Sequence, residues 1–172
     1  MAGMITAEEF EELYRATAPQ LFAYIRRRGV ADPEDLAAEV YAIAWRRRID
    51  LPAPFLRRAW LFGTARKLLL SEARRSGREL ECLNHIAAQP ETEAGENRRL
   101  EAAVAAALGR LRPKARELIL LAEWEQLTPA EVAVVLGIRP GAARVRLHRA
   151  RLALAADPDL RDIIGEPPSM AG

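Results

Sequence analysis

The chain has 172 residues, half of them apolar and 29% charged, which is material for one full domain or two small ones and too little for a large catalytic barrel. No run approaches ~18 uninterrupted apolar residues, so no membrane-spanning helix is expected; a single cysteine, Cys82, and two histidines exclude an internal disulfide and leave no ligand set for zinc. The net charge of +2 conceals four unequal blocks: −4 over residues 1–45, +8 over 46–78, −5 over 79–97 and +3 over 98–172.

Strand signals are nearly absent, since the apolar residues recur at helical rather than alternating spacing. The expected fold is all-α, as two small helical domains joined by a flexible linker. The chain starts without a basic, apolar leader, and Glu8, Glu9, Glu11 and Glu12 follow, so a cytoplasmic location without membrane insertion is expected. Phe10, Leu13, Tyr14 and Thr17 mark one helical face, which Leu21, Phe22 and Ile25 resume past Pro19 up to a stop at Gly29. Asp32-Pro33-Glu34-Asp35 then opens a second helix, with Asp32 as the cap, Pro33 in the first turn and acids near the positive end of the helix dipole. Leu36, Val40 and Ile43 share one side of it.

Pro52 and Pro54 interrupt the pattern. A third helix is predicted over 55–75, carrying Phe55, Ala59, Phe62, Ala65 and Leu69 as an apolar stripe and a basic opposite face. Residues 79–97 lack such a stripe, contain Pro90 and Gly95, and read as the linker. Beyond it, Leu100, Val104, Ala107 and Leu108 predict a helix ending near Gly109, and Pro113 opens another containing Leu118, Leu121 and Trp124. Thr128-Pro129-Ala130-Glu131 is a capping box. The short helix it starts reaches Leu136, Gly137-Ile138-Arg139 forms the turn of a helix-turn-helix, and Pro140 starts the second helix. Residues 157–172, with three prolines, read as a disordered tail, the alternative being that Leu160, Ile163 and Ile164 dock against either domain.

Function follows from where the cations fall. Arginine outnumbers lysine twenty-four to two, and its planar fork suits phosphate and guanine better than an ammonium does. Over 128–152, Val132, Ala133, Leu136, Ile138, Ala143 and Leu147 can pack inward while Arg144, Arg146, Arg149 and Arg151 point the other way. A basic helix carried on a short partner can enter a major groove. Paired catalytic carboxylates, a nucleophile elbow, a phosphate-binding glycine loop and a metal quartet are all missing from the sequence, so no enzymatic activity and no cofactor are expected.

Three segments in order carry a family resemblance: Asp32-Pro33-Glu34-Asp35-Leu36-Ala37-Ala38-Glu39-Val40-Tyr41-Ala42-Ile43-Ala44-Trp45-Arg46, then Ala59-Trp60-Leu61-Phe62-Gly63-Thr64-Ala65-Arg66-Lys67, then Gly137 through Arg151. Together they resemble an extracytoplasmic-function sigma factor of the bacterial RNA polymerase sigma family, over about residues 8–78 and 98–155. The resemblance implies a region 2-like domain at 1–78, the linker, a region 4-like helix-turn-helix domain at 98–156, and a tail at 157–172. It implies core RNA polymerase and promoter DNA as partners, with an anti-sigma factor as a further one. By position, Asp35, Leu36 and Glu39 are the implied polymerase contacts. Arg57, Arg58, Trp60, Arg66, Lys67, Arg74 and Arg75 are implied at the minus-10 element, and Arg139, Arg144, Arg146 and Arg149 at the minus-35 element.

Some positions depart from the family pattern. Lys67 stands where Asn is frequent, Ser71 where Asp is, Ala38 where Gln is, and Ala142-Ala143 replace a Thr-Val pair. Fewer groups are left to read base edges, so Arg144 is the expected base reader and Arg146 and Arg149 the phosphate anchors. A stand-alone helix-turn-helix regulator acting without replacing the sigma subunit is the alternative, distinguished by tight binding to palindromic sites in the absence of polymerase.

Overall fold

A computed structural model describes residues 4–77 and 96–165; the linker expectation for 79–97 lies almost wholly outside these residues. The described chain is all-α. In the N-terminal half, α1 (Ala7–Arg26), α2 (Pro33–Arg46) and α3 (Pro54–Ser76) pack pairwise against one another. In the C-terminal half follow α4 (Glu96–Arg110), α5 (Pro113–Ile119), a π-helical turn at Leu120–Trp124, α6 (Pro129–Leu136), α7 (Pro140–Ala155) and α8 (Pro158–Ile164).

The helix starts are where local chemistry placed them. Asp32 accepts a hydrogen bond from the Asp35 amide at 2.9 Å, and Thr128 and Glu131 form the reciprocal box that satisfies two amides otherwise left without partners at the start of α6. A second box, Thr6 with Glu9, starts α1. Pro19 does not break α1, which runs through it as one helix. Gly137 sits at φ +64°, the left-handed conformation that a side chain with a Cβ disfavours and that the tight α6–α7 turn requires.

The apolar stripes become a core, with two corrections. Leu21, Tyr24, Ile25, Val40, Ala59, Phe62, Ala65 and Leu69 are buried together. Phe55, expected on that stripe, is 77% exposed, because it lies in the first turn of α3, outside the stretch that α1 and α2 cover. The tail departs more: residues 158–164 form α8, which docks on α4 through Leu160 against Ala103 and Ala107. Asp157 caps it and grips Arg110 through two 2.8 Å bonds, holding the Asp157 carboxyl below its ordinary pKa through that hydrogen-bonded guanidinium. Pro167 and Pro168 lie outside the described residues.

The two halves share one continuous core. Leu108, Leu118, Leu121, Val132, Val135 and Leu147 belong to the same buried cluster as Leu21 and Phe62. The most extensive packing between any two helices joins α3 to α6. Gly63 faces the α6 backbone: a Cβ there would stand 3.5 Å from the Cα of Val135 and 3.7 Å from the Val134 carbonyl, ordinary contact for a methyl group but already against backbone for anything longer. Ala133 of α6 is buried as well.

Candidate nucleic-acid interface

α7 presents an exposed cationic surface. Ala143, Leu147 and Ala150 are buried at spacings of four and three and fix the helix against the body, leaving Arg144, Arg146 and Arg149 exposed on the remaining circumference. Arg139 takes the extended N-cap conformation, but its side chain caps nothing. Arg151 is drawn aside by Glu123 of the π turn, with contacts of 2.6 and 2.8 Å. The N-terminal part of the helix therefore keeps guanidinium groups that are unengaged among the described residues, at the positions from which a groove-inserted helix reads bases.

Arg146 and Arg149 line a cleft of about 820 Å³ floored by Leu118, Leu136, Ile138 and Ala150, and Arg112 and Lys114 line it too. Sequence reasoning did not single out these last two. Their signal was present: cations flanking Pro113 at the start of α5 oppose the helix dipole, which favours acids at that end.

The arginines of α3 have a different environment. Arg66 makes a bidentate pair with Glu117, at 2.5 and 3.1 Å. Burial acts against its charge, but the hydrogen bond and charge of Glu117 prevail, and the Arg66 pKa is raised. Arg58 donates to the Glu125 carbonyl at 2.6 Å, stands 3.8 Å from the Glu131 carboxylate, and lies over the Phe62 ring. Arg57 donates to the Pro52 carbonyl at 3.3 Å. Lys67, Arg74 and Arg75 are exposed on the C-terminal turns. Trp60 is half-buried and packs on the core, whereas Phe62 is fully buried. The exposed aromatic of this helix is Phe55.

α2 carries the third set. Asp35 and Glu39 are exposed, but Leu36 is 6% exposed and belongs to the core. Asp35, Ala38, Ala42 and Trp45 recur along one solvent-facing line, which gives the helix a surface that is acidic at its start, small in the middle and aromatic at its end. Trp45 stacks edge-on against Phe10 at 5.1 Å, carries Arg48 over its ring, and still leaves part of the indole open. Among the described residues there is no group of three or more potential metal ligands, and no helix is long and apolar enough to cross a membrane.

Comparison with known proteins covers both halves. Residues 101–154 match the family described as Sigma-70, region 4. Over 152 residues, 83% of the chain, the sequence is 31% identical to the "ECF RNA polymerase sigma factor SigE" of Mycolicibacterium smegmatis, covering 58% of that protein. A "RNA polymerase sigma-E factor" of Streptomyces antibioticus is 38% identical over 53 residues, 31% of this chain and 29% of that one. The chain thus spans under two thirds of the length of these relatives. Among solved structures, CnrH in complex with the cytosolic domain of CnrY is 28% identical, with a TM-score of 0.56 over 90% of each chain. The sigma factor RpoE of Bartonella quintana, in complex with the anti-sigma factor NepR, aligns with a TM-score of 0.61 over 92% of this chain and 98% of that one. Its 22% identity speaks to the fold alone.

Proposed function

The chain belongs to the extracytoplasmic-function sigma factors, and we propose that it acts as one, binding core RNA polymerase in the cytoplasm and directing it to a set of promoters. The observation that carries this reading is similarity that runs through 152 residues and both halves. A helix-turn-helix alone is shared by many regulators and decides little.

In this reading residues 1–78 are the region 2-like part and residues 98–156 the region 4-like part. Asp35 and Glu39, with the Ala38–Ala42 strip between acid and Trp45, are the polymerase-facing side of α2, and Leu36 supports that face from the core. An amphipathic helix with an acidic start suits docking on a partner helix pair that offers cations and an apolar groove. Arg144 reads a base edge in the minus-35 duplex, and Arg146, Arg149 and Arg139 hold phosphates, with Arg112 and Lys114 extending that anchor. On α3, Arg57, Arg58, Arg66, Lys67, Arg74 and Arg75 follow the backbone of the minus-10 strand, and Trp60 supports it. The proposed role needs no bond-making chemistry by the chain itself. Two weakly binding modules suffice because polymerase holds both on one DNA, raising the effective concentration of the second once the first is bound. An anti-sigma factor is a further partner in this reading, of the kind that accompanies the structural relatives.

Run-off transcription with purified core polymerase on genomic fragments tests this directly. Starts that appear only when the chain is added are the expected result. If no start depends on it, the sigma reading fails. Reversing charge at Asp35 and Glu39 is expected to weaken capture of core enzyme while leaving duplex binding by the C-terminal half unchanged.

A further inference from the structure

The side chain that points most directly out of α7 is not an arginine. An α-helix turns by about 100° per residue, so with Ala143, Leu147 and Ala150 on the buried side the opposite line runs through Val145 and Leu152, with Arg144 on one flank and Arg146 and Arg149 on the other. Val145 is 51% exposed and Leu152 58%, and among the described residues neither belongs to a buried apolar cluster. The helix itself does not favour valine there: a β-branched residue forms helix less readily than alanine, arginine or leucine, and an open apolar side chain gains nothing from water. The two positions differ along the axis. Val145 is in the second turn, within the part from which a groove-inserted helix reaches base edges, whereas Leu152 lies about 10 Å farther on, toward the end that leaves the groove.

Base edges in the major groove offer donors and acceptors, and thymine adds an apolar group, its C5 methyl. An isopropyl group set against a donor or acceptor strips water from it and returns no hydrogen bond, which costs affinity. Set against a methyl group it buries apolar surface on both partners and gains affinity. Arginines on both sides of Val145 can take phosphates of the two strands that wall the groove, and contacts of that kind fix position without choosing sequence. They centre the valine over the bases.

We propose that Val145 is a specificity-determining residue of α7 that reads the C5 methyl of one thymine, so that the preferred duplex carries an A·T pair beside the pair contacted by Arg144. This inference rests on the reading of α7 as the helix that enters the minus-35 duplex, and its test separates the two.

The experiment uses the full chain and a random-sequence duplex library, from which bound sites are selected at low salt. Fluorescence anisotropy then compares each recovered site with copies in which deoxyuridine, which lacks only the methyl group, replaces one thymine at a time. The parent chain is expected to enrich a site with one fixed thymine, and deoxyuridine at that position is expected to weaken binding roughly 3- to 5-fold, the effect of one buried methyl group. Val145→Ser, a change between residues of similar helix propensity at an exposed position, is expected to keep the parent's circular dichroism and to bind the thymine and deoxyuridine forms equally. Leu152→Ser also removes exposed apolar surface, but away from the bases, and is expected to keep the parent's preference. The proposal is overturned if the parent enriches no sequence or shows no methyl dependence at any thymine of its site. It is equally overturned if Val145→Ser retains the full preference or if Leu152→Ser abolishes it. Run-off transcription decides the sigma reading separately: if no start depends on the chain while the methyl preference holds, that reading fails and Val145 remains the methyl reader of a duplex bound without polymerase.

Discussion

α3 and α7 are both arginine-bearing helices rooted in the same core, yet α3 has its central arginines engaged by carboxylates while α7 leaves most of its arginines facing solvent. On α3 the arginines nearest the middle, Arg58 and Arg66, meet carboxylates from the other half of the chain. On α7, among the described residues, Arg151 toward the C-terminal end is paired, while Arg144, Arg146 and Arg149 face solvent. Composition does not distinguish them. What differs is the neighbour: α3 lies against α6, whose own start is acidic through Glu131, and α7 faces outward from the same α6 by way of the Gly137 turn. A count of cations along a sequence therefore locates a polyanion-binding surface without saying when it is available.

The comparison breaks most readily at the shared core. Phe62 on α3 and Leu147 on α7 are both fully buried in one cluster, so Phe62→Ala is expected to cost about 3–5 kcal/mol and Leu147→Ala about 2–5 kcal/mol. In chemical denaturation monitored separately by fluorescence and circular dichroism, each variant is expected to lower the midpoint of a single transition for both probes. Two separated transitions in the parent chain mean that the helices rest on independent cores. Phe55→Ala, on the same helix as Phe62 but exposed, is expected to leave the midpoint in place.

A smaller effect sharpens the functional side of the contrast. Arg144→Ala is expected to cost about 1–3 kcal/mol in binding a cognate duplex and to relax sequence preference at one position, as loss of a base-edge contact does. Arg66→Ala in the same free-chain assay is expected to change duplex affinity little, because Arg66 is already held by Glu117. Its defect appears when polymerase is present, as slower promoter opening followed by permanganate reactivity of unpaired thymines. Equal losses for both substitutions in the free-chain duplex assay contradict the division between an open and an engaged helix.

Much of this architecture was legible in the sequence, for reasons that are local. Asp32 before Pro33, the Thr128–Glu131 box and Gly137 each announce a terminus through chemistry within four residues, and all three appear where that chemistry puts them. The helix-turn-helix and the exposure of Arg144, Arg146 and Arg149 follow from one short turn and a small inward set. What stayed hidden depends on neighbours far along the chain. Leu36 is legible both ways, as a partner contact at its family position and as a member of the α2 stripe with Val40 and Ile43, and only the packing of α2 shows it in the core. Phe55 fits the spacing of the α3 stripe, yet no helix reaches the turn that carries it. The docking of α8 depends on Arg110, 47 residues from Asp157. The carboxylates that meet the N-terminal arginines, Glu117, Glu125 and Glu131, belong to a block of net positive charge. The window 117–131 gathers them with Glu123 and no cation, but which arginines they meet is set only by the packing of the C-terminal half on α1 and α3.

The smallest expected effect concerns what supports α3 from beneath. Tyr24 lies 5.0 Å from the Phe62 ring with Arg28 over its face at 3.8 Å, and its hydroxyl has no hydrogen-bond partner among the described residues. Tyr41, also buried, shares a 2.8 Å hydrogen bond with Thr17. Burial pushes both phenols up to about 12, since each fold shelters the neutral form. A phenol whose pKa is raised on folding contributes stability that is complete below its ordinary value near 10 and is lost as pH rises toward 12. Stability is therefore expected to fall across that window, and Tyr24→Phe or Tyr41→Phe each to remove part of the slope. At neutral pH the two should differ in sign. Tyr24→Phe deletes an unpaired buried hydroxyl and is expected to gain about 1 kcal/mol, while Tyr41→Phe strands the Thr17 partner and is expected to lose about 1 kcal/mol. Paired urea titrations at neutral and alkaline pH measure both. Losses of equal size would place a hydrogen-bond acceptor beside Tyr24, and with it a polar rather than an apolar seat beneath α3.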